Sequence, residues 1–439
     1  MPRRSRDVRK AVALALAVAA LFVPAAAADA PDETLLALVS PGTRVELVRL
    51  DPVSLAPVAG VPRVRVGIQD LPWALSPDES LVALGSMRST SLILVDLHTM
   101  QAVGRIGTAF QVALAWPERN RLLIFERGAF RWRLTLVDPI ARSVLLRRKL
   151  GEHGDIVAAA TTRNGLAILM APGRREGHAT LLALDARGGA RRVGLRRIVA
   201  GTVKKQLADG RYRSWYRRPA LAVDAEGGRA YVVTAGARVA EVDLATLAVS
   251  YREARLEAVG AQSPAAVSTG SAHHASSGTF RQAHWLGDGL IATAGWTSRV
   301  TDSARGPEQN EVPAGLALLD TRVWTSRRLF PDARWFHATP DLVLARARPR
   351  KRAGTVLAGF AHEGAARFRL QLDTATFGVQ SAGPYAYLGL GDAYRPHRVT
   401  VVDTRTGEPV GTPQAPGWTL LVSPSQPQFC SCYTGTTVD

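Results

Sequence analysis

Apolar residues along this chain fall in short runs divided by polar turns, the pattern of β-strands. The clearest stretch spans 73–107. Trp73-Ala74-Leu75 predicts a strand that stops at the turn Ser76-Pro77-Asp78-Glu79. Leu81-Val82-Ala83-Leu84 predicts the next strand. Ser89 and Thr90 open a second turn, and Ser91–Val95 predicts a third strand. Asp96 ends it, because an Asp carboxylate accepts backbone N–H groups of the turn that follows. Gln101–Ile106 is more polar, as suits an outer strand facing water. The same order recurs from Val112 to Leu150, from Ile156 to Gly194, from Leu221 onward and from Ala283 onward.

Third strands end on a recurring phrase, apolar residues and then Asp, at Asp51, Asp96, Asp138, Asp185, Asp243, Asp320 and Asp403. The intervals are 45, 42, 47, 58, 77 and 83 residues. A spacing in the low forties predicts an all-β fold, a single β-propeller of four-stranded blades. The last interval is near two blades long, and Val356-Leu357-Ala358-Gly359-Phe360 supplies a third strand without the Asp, with Phe368–Leu372 as its outer strand. The expectation is eight blades, or seven if the first or seventh unit is incomplete. Leu35–Leu38 resembles a second strand lacking its first, and Trp418–Ser423 resembles a first strand. The C-terminal strand is therefore expected to join the first blade and remove an open edge. This places the propeller at 35–424 and a tail at 425–439.

The N-terminus changes the compartment. Arg3, Arg4, Arg6, Arg9 and Lys10 precede the apolar run Ala11–Val23 and a small-residue end at Ala25–Ala28. That is the layout of a secretory signal peptide over 1–28. The run is short of the roughly 20 residues that span a bilayer as a helix. An uncleaved anchor is the alternative, and no other apolar stretch is long enough to cross. The expected location is secreted or extracytoplasmic, associated with the cell envelope. Cleavage would lower the formal net charge from +18 to +14. A basic exported protein is drawn to anionic polymer, lipid headgroups or polysaccharide, and nucleic acid is not an expected partner. The only cysteines are Cys430 and Cys432, so no disulfide framework builds the fold.

The phrases Leu75-Ser76-Pro77-Asp78-Glu79, Leu94-Val95-Asp96-Leu97-His98-Thr99 and Val401-Val402-Asp403-Thr404-Arg405-Thr406-Gly407 resemble the YVTN-type, WD-repeat-like repeats of propellers exported by bacteria. The resemblance covers about 35–424 and implies the fold. Members of that class bind surfaces, bind ligands or catalyse, so it implies no single activity.

Long intervals mark insertions. Leu195–Arg218 carries Arg196, Arg197, Lys204, Lys205, Arg217 and Arg218 with Tyr212, Trp215 and Tyr216 interleaved. Cations and aromatics together can grip anionic polymer, or sugars by stacking, and this loop is the expected binding site. The stretch 260–278, rich in Ala, Ser and Gly, predicts a flexible surface loop ending near His273-His274. A third polar loop is expected over Thr297–Pro313. Trp285, Trp296, Trp335 and His337 are candidates to line a central pore, or to fill blade cores. Adjacent histidines point apart in a strand, so no metal is assigned. Cys430-Ser431-Cys432 could chelate a soft metal but more simply forms an exposed tail.

Neither G-x-S-x-G nor H-E-x-x-H occurs. The expectation is a monomeric, non-catalytic binding module with no cofactor. Its partner would be a protein, a polysaccharide or an anionic envelope component. The alternative is a pore-centred, lactonase-like metal-dependent hydrolase.

Overall fold

The computed structural model describes residues 34–423, apart from 41–43, 68–71, 86–88, 129–130, 152–153, 174, 207–211, 257–266, 272–273, 304–305, 348–353, 377 and 392–395. The expected signal segment, His273 and the Cys430–Cys432 tail lie outside the described residues. Among the described residues there is no helix long and apolar enough to cross a membrane.

Among the described residues all regular structure is β, most of it in four-stranded antiparallel blades, six of them discrete. One runs Trp73–Leu75, Leu81–Leu84, Ser91–Asp96, Gln101–Gly107, and the next Phe110–Glu118, Arg121–Arg127, Trp132–Asp138, Ser143–Lys149. Others start at Ala220–Asp224, Ala333–Ala338 and Val379–Ala382. In the remaining one, the first blade in chain order, Leu35–Ser40 lies between Val45–Leu50 and Trp418–Leu421, with Ala37 opposite Leu421 and Ser40 opposite Trp418.

Six separate blades replace the eight, or seven, that the spacing predicts. Two of the remaining strands, His397–Arg398 and Gln414–Ala415, pair with each other, and the other twelve belong to one sheet. It holds two blade-like runs, one starting at Gly154–Thr162 and the other within His274–Gly287. Strands that the sequence disguises as loops fuse them. Leu195–Arg218 is not an inserted loop. Its first half continues the strand Ala190–Gln206, and its second half is the strand Tyr212–Arg218. Much of 260–278 is also strand, Val267–Ser271 and the start of His274–Gly287. Thr297–Pro313 contributes to Leu290–Ser303 and Gly306–Pro313. The physical reason is pairing: Tyr212–Arg218 runs parallel to the first half of His274–Gly287, so both runs become one ladder. Thr355–Ala361 and Ala366–Leu372 are the third and outer strands of their blade, as expected.

The core lies between neighbouring blades. Leu38, Leu47, Trp73, Val82 and Ile93 pack the first blade on the second. Tyr387, Val401 and Leu390 pack the last on Leu35, Ala37 and Leu50 of the first. Each repeated Asp folds its own turn. Oδ1 of Asp96 accepts the backbone N–H groups of His98 and Thr99 at 2.9 and 2.8 Å. Asp51, Asp138, Asp185, Asp243 and Asp403 do the same, and Asp320 accepts Arg322 N–H. The residue four places on sits in the left-handed region: Leu55, Met100, Arg142, Leu247 and Trp324, with Gly407 in the last repeat. A non-glycine residue there costs about 1 kcal/mol or more. The Asx-turn bonds and the buried Leu55 and Met100 side chains offset it.

Candidate functional site

The fused strands extend beyond the blades as a wing: Ala190–Gln206, Tyr212–Arg218, His274–Gly287, Leu290–Ser303 and Gly306–Pro313. Side chains alternate across a sheet, and residues paired between strands share a face. The registers Thr202 to Tyr216, Arg218 to Phe280, Phe280 to Trp296 and Ser298 to Glu311 define one face. The registers Lys205 to Arg213, Val203 to Trp215, Gly201 to Arg217 and Thr279 to Thr297 define the other.

The first face turns inward. Trp296 and Ser298 are buried. Trp296 stacks on Phe280 at 4.2 Å between centroids, and both meet Trp335 of the innermost strand Ala333–Ala338, at 4.7 and 5.1 Å. Trp296 Nε1 donates to Tyr216 Oη at 3.2 Å. The tyrosine reaches across Gly278, whose φ of +155° brings the backbone so close that a Cβ would collide with the Tyr216 carbonyl. Arg334 Nη1 bonds Glu311 Oε2 at 2.5 Å, fixing the wing to the innermost strand a second time. Arg281 donates to the carbonyls of Phe280 and Trp296 at 2.7 and 3.2 Å, and to that of Ala235 in the adjoining blade at 3.2 Å. Burial lowers its pKa to about 10.

This divides the nine residues expected to bind. Tyr216 and Arg218 lie partly buried on the inward face. Burial raises the Tyr216 pKa and lowers that of Arg218, whose guanidinium lies 5.9 Å from the Tyr216 ring. Arg196 and Arg197 are exposed at a register shift between His178 and Ala179, away from the hairpin, with Arg197 5.4 Å from the Tyr251 ring. Lys204 is exposed on the inward face at the hairpin end. The side chain of Tyr212 lies outside the description.

What remains is an outward strip: Lys205, Arg213, Trp215 and Arg217, joined by Arg299 two strands along. Lys205, Arg217 and Arg299 are exposed and Arg213 is half-buried. Trp215 is 39% exposed, far above the 7% of Trp296. Arg217 also pairs with Glu176 at 3.2 Å. Arg299 escaped the sequence reading because its strand is polar on both faces. The alternation of Trp296, Ser298 and Val300 with Thr297, Arg299 and Thr301 was the available signal.

The other aromatic and histidine candidates pack within and between blades. Trp285 stacks on Tyr231 at 5.3 Å between two sheets. His337 is buried and 2.6 Å from Ser381 Oγ. His362 Nε2 lies 3.0 Å from the Thr339 carbonyl.

Comparison with solved structures gives the fold. Dihydro-heme d1 dehydrogenase NirN, solved in complex with DHE, matches with a TM-score of 0.54 at 15% identity, over 88% of this chain and 74% of that one. Apo AztD from Citrobacter koseri matches with a TM-score of 0.52 at 9% identity, over 90% of this chain and 99% of that one. The chain is a β-propeller. No family model matches it, and no curated protein does. At such identities the likeness extends to the propeller architecture alone.

Proposed function

We propose that this propeller is an exported, non-catalytic binding module that holds an anionic envelope polymer on the outward face of its wing. The observation that carries the reading is the exposed Trp215 flanked by Lys205, Arg213, Arg217 and Arg299 on one sheet face. Guanidinium and ammonium groups attract phosphate, sulfate or carboxylate along a chain, and a solvent-facing indole stacks on sugar rings. The strongly basic balance, which persists without the leader, raises the local concentration of such a polymer. Export through a leader over 1–28, a propeller over 35–424 and a tail over 425–439 belong to the same reading.

The lactonase-like alternative needs a cluster of metal ligands, and among the described residues no group of three His, Cys, Asp or Glu side chains is placed to hold a metal ion.

The test is retention on isolated cell envelope by the mature protein and by a Lys205→Ala, Trp215→Ala, Arg299→Ala variant. All three side chains are exposed, so the fold should persist. Retention should fall at least about tenfold in the variant, and wild-type retention should fall as salt rises from 0.05 to about 0.2 M. Equal retention of the two proteins ends the proposal.

A further inference from the structure

The first two blades leave a cleft between them, remote in sequence from the wing. It encloses about 470 Å3, within the range of small-molecule sites. Three arginines line it. Arg44 precedes the strand Val45–Leu50, Arg65 lies on Val64–Gly67, and Arg105 lies on Gln101–Gly107 opposite Ile93. Ser89 and Ser91 add hydroxyls 3.1 Å apart. Gly67, also in the lining, holds φ at +121°, a conformation that favours glycine.

The charges in this cleft are poorly balanced. The carboxylate paired with Arg65 is Glu46 at 3.8 Å, the outer limit of an ion pair. Among the described residues, Arg44 and Arg105 form no ion pair. All three cations line the same cleft, so an anion bound there is attracted by each of them. Guanidinium forks match tetrahedral oxyanions two N–H groups at a time, and serine hydroxyls can donate to the remaining oxygens.

We propose that the cleft between the first two blades is a site for a phosphate group, with Arg44, Arg65 and Arg105 as its cationic wall. The phosphate can be the free ion or the end of a phosphate monoester. The two sources differ in whether an organic group follows the phosphate into the cleft.

Calorimetric titration of the mature protein with inorganic phosphate and with glycerol 1-phosphate tests this. One saturable site per chain is expected. Arg105→Gln and Arg44→Gln should each weaken it about tenfold or more. Both side chains are exposed, and a thermal melt confirms that each variant is folded. Tighter binding of the ester identifies a monoester site, and equal binding identifies a site for the ion. The Lys205, Trp215, Arg299 variant should bind phosphate as the wild type does. Absence of saturable binding overturns the proposal. So does affinity unchanged in both arginine variants. The two sites share no residue, so loss of either leaves the other standing.

Discussion

His337 is the residue whose chemistry the fold alters most visibly. It is 8% exposed, on the innermost strand Ala333–Ala338, and its Nε2 meets Ser381 of the next blade. Burial lowers its pKa to about 4, and the nearby His284 acts in the same direction. Burial lowers the pKa of His284 as well. An unfolded histidine titrates near 6.5. Between these values the unfolded chain takes up a proton that the folded protein refuses. Stability is therefore full above about pH 7, falls as pH drops from 6.5 towards 4, and levels off below 4. The whole window is worth on the order of 3 kcal/mol for His337. Calorimetric melting from pH 8 to 4 should show this slope, and His337→Gln, which can keep the bond to Ser381, should flatten it. An unchanged slope would refute the assignment. The turn aspartates act at lower pH: hydrogen bonds hold Asp51, Asp96 and Asp243 below the usual carboxylate range. Their turn role was legible in sequence, because an Asx turn is local chemistry. The left-handed partners Leu55, Met100 and Trp324 were not legible, since nothing in their side chains favours positive φ.

The wing was misread at the level of the element. Its strands are short of apolar residues because water covers one face, and the other rests on three aromatics and one ion pair rather than on a full hydrophobic layer. Polar composition therefore resembled loop. The basic set within 195–218 was visible, but not its division between faces, because that follows from the register with His274–Gly287, some 60 residues on. The same construction predicts a specific weakness. Trp335 is the contact from the innermost strand to both Phe280 and Trp296. Truncating a packed tryptophan costs about 3–5 kcal/mol. In Trp335→Ala that loss should fall on the wing. Amide exchange should speed up in 201–206, 212–217 and 295–303, while the blade at 73–107 keeps its protection. Uniform acceleration throughout the chain would show that the wing is not a separate cooperative unit.

Across the whole molecule, the spacing of the Asp turns gave the propeller but not the number of separate blades, because pairing across blades leaves no mark on that spacing. How the ends are held was partly legible, in the likeness of Trp418–Ser423 to Trp73–Pro77. The device that fastens them was not. Gln380, on the innermost strand of the last blade, donates through Nε2 to the carbonyls of Leu390 and Thr419 at 3.0 and 3.1 Å. Its Oε1 accepts the Leu421 N–H at 2.7 Å. Gln282 makes the equivalent tie between two inner strands of the chain's interior, donating to the Phe336 carbonyl at 2.8 Å and accepting the Phe336 N–H at 3.3 Å. Leucine at either site leaves buried backbone groups unpaired, at about 1–3 kcal/mol each. The consequences should differ. Gln282→Leu weakens a joint bounded by continuous chain, and should lower the melting temperature while the protein stays monomeric. Gln380→Leu weakens the one joint made by the C-terminal strand. When Trp418–Leu421 lifts away, Leu35–Ser40 exposes an apolar edge that templates pairing with another copy. Sedimentation at rising concentration should show association for Gln380→Leu alone. If both variants melt alike and stay monomeric, the C-terminal strand is no more than another tie between blades.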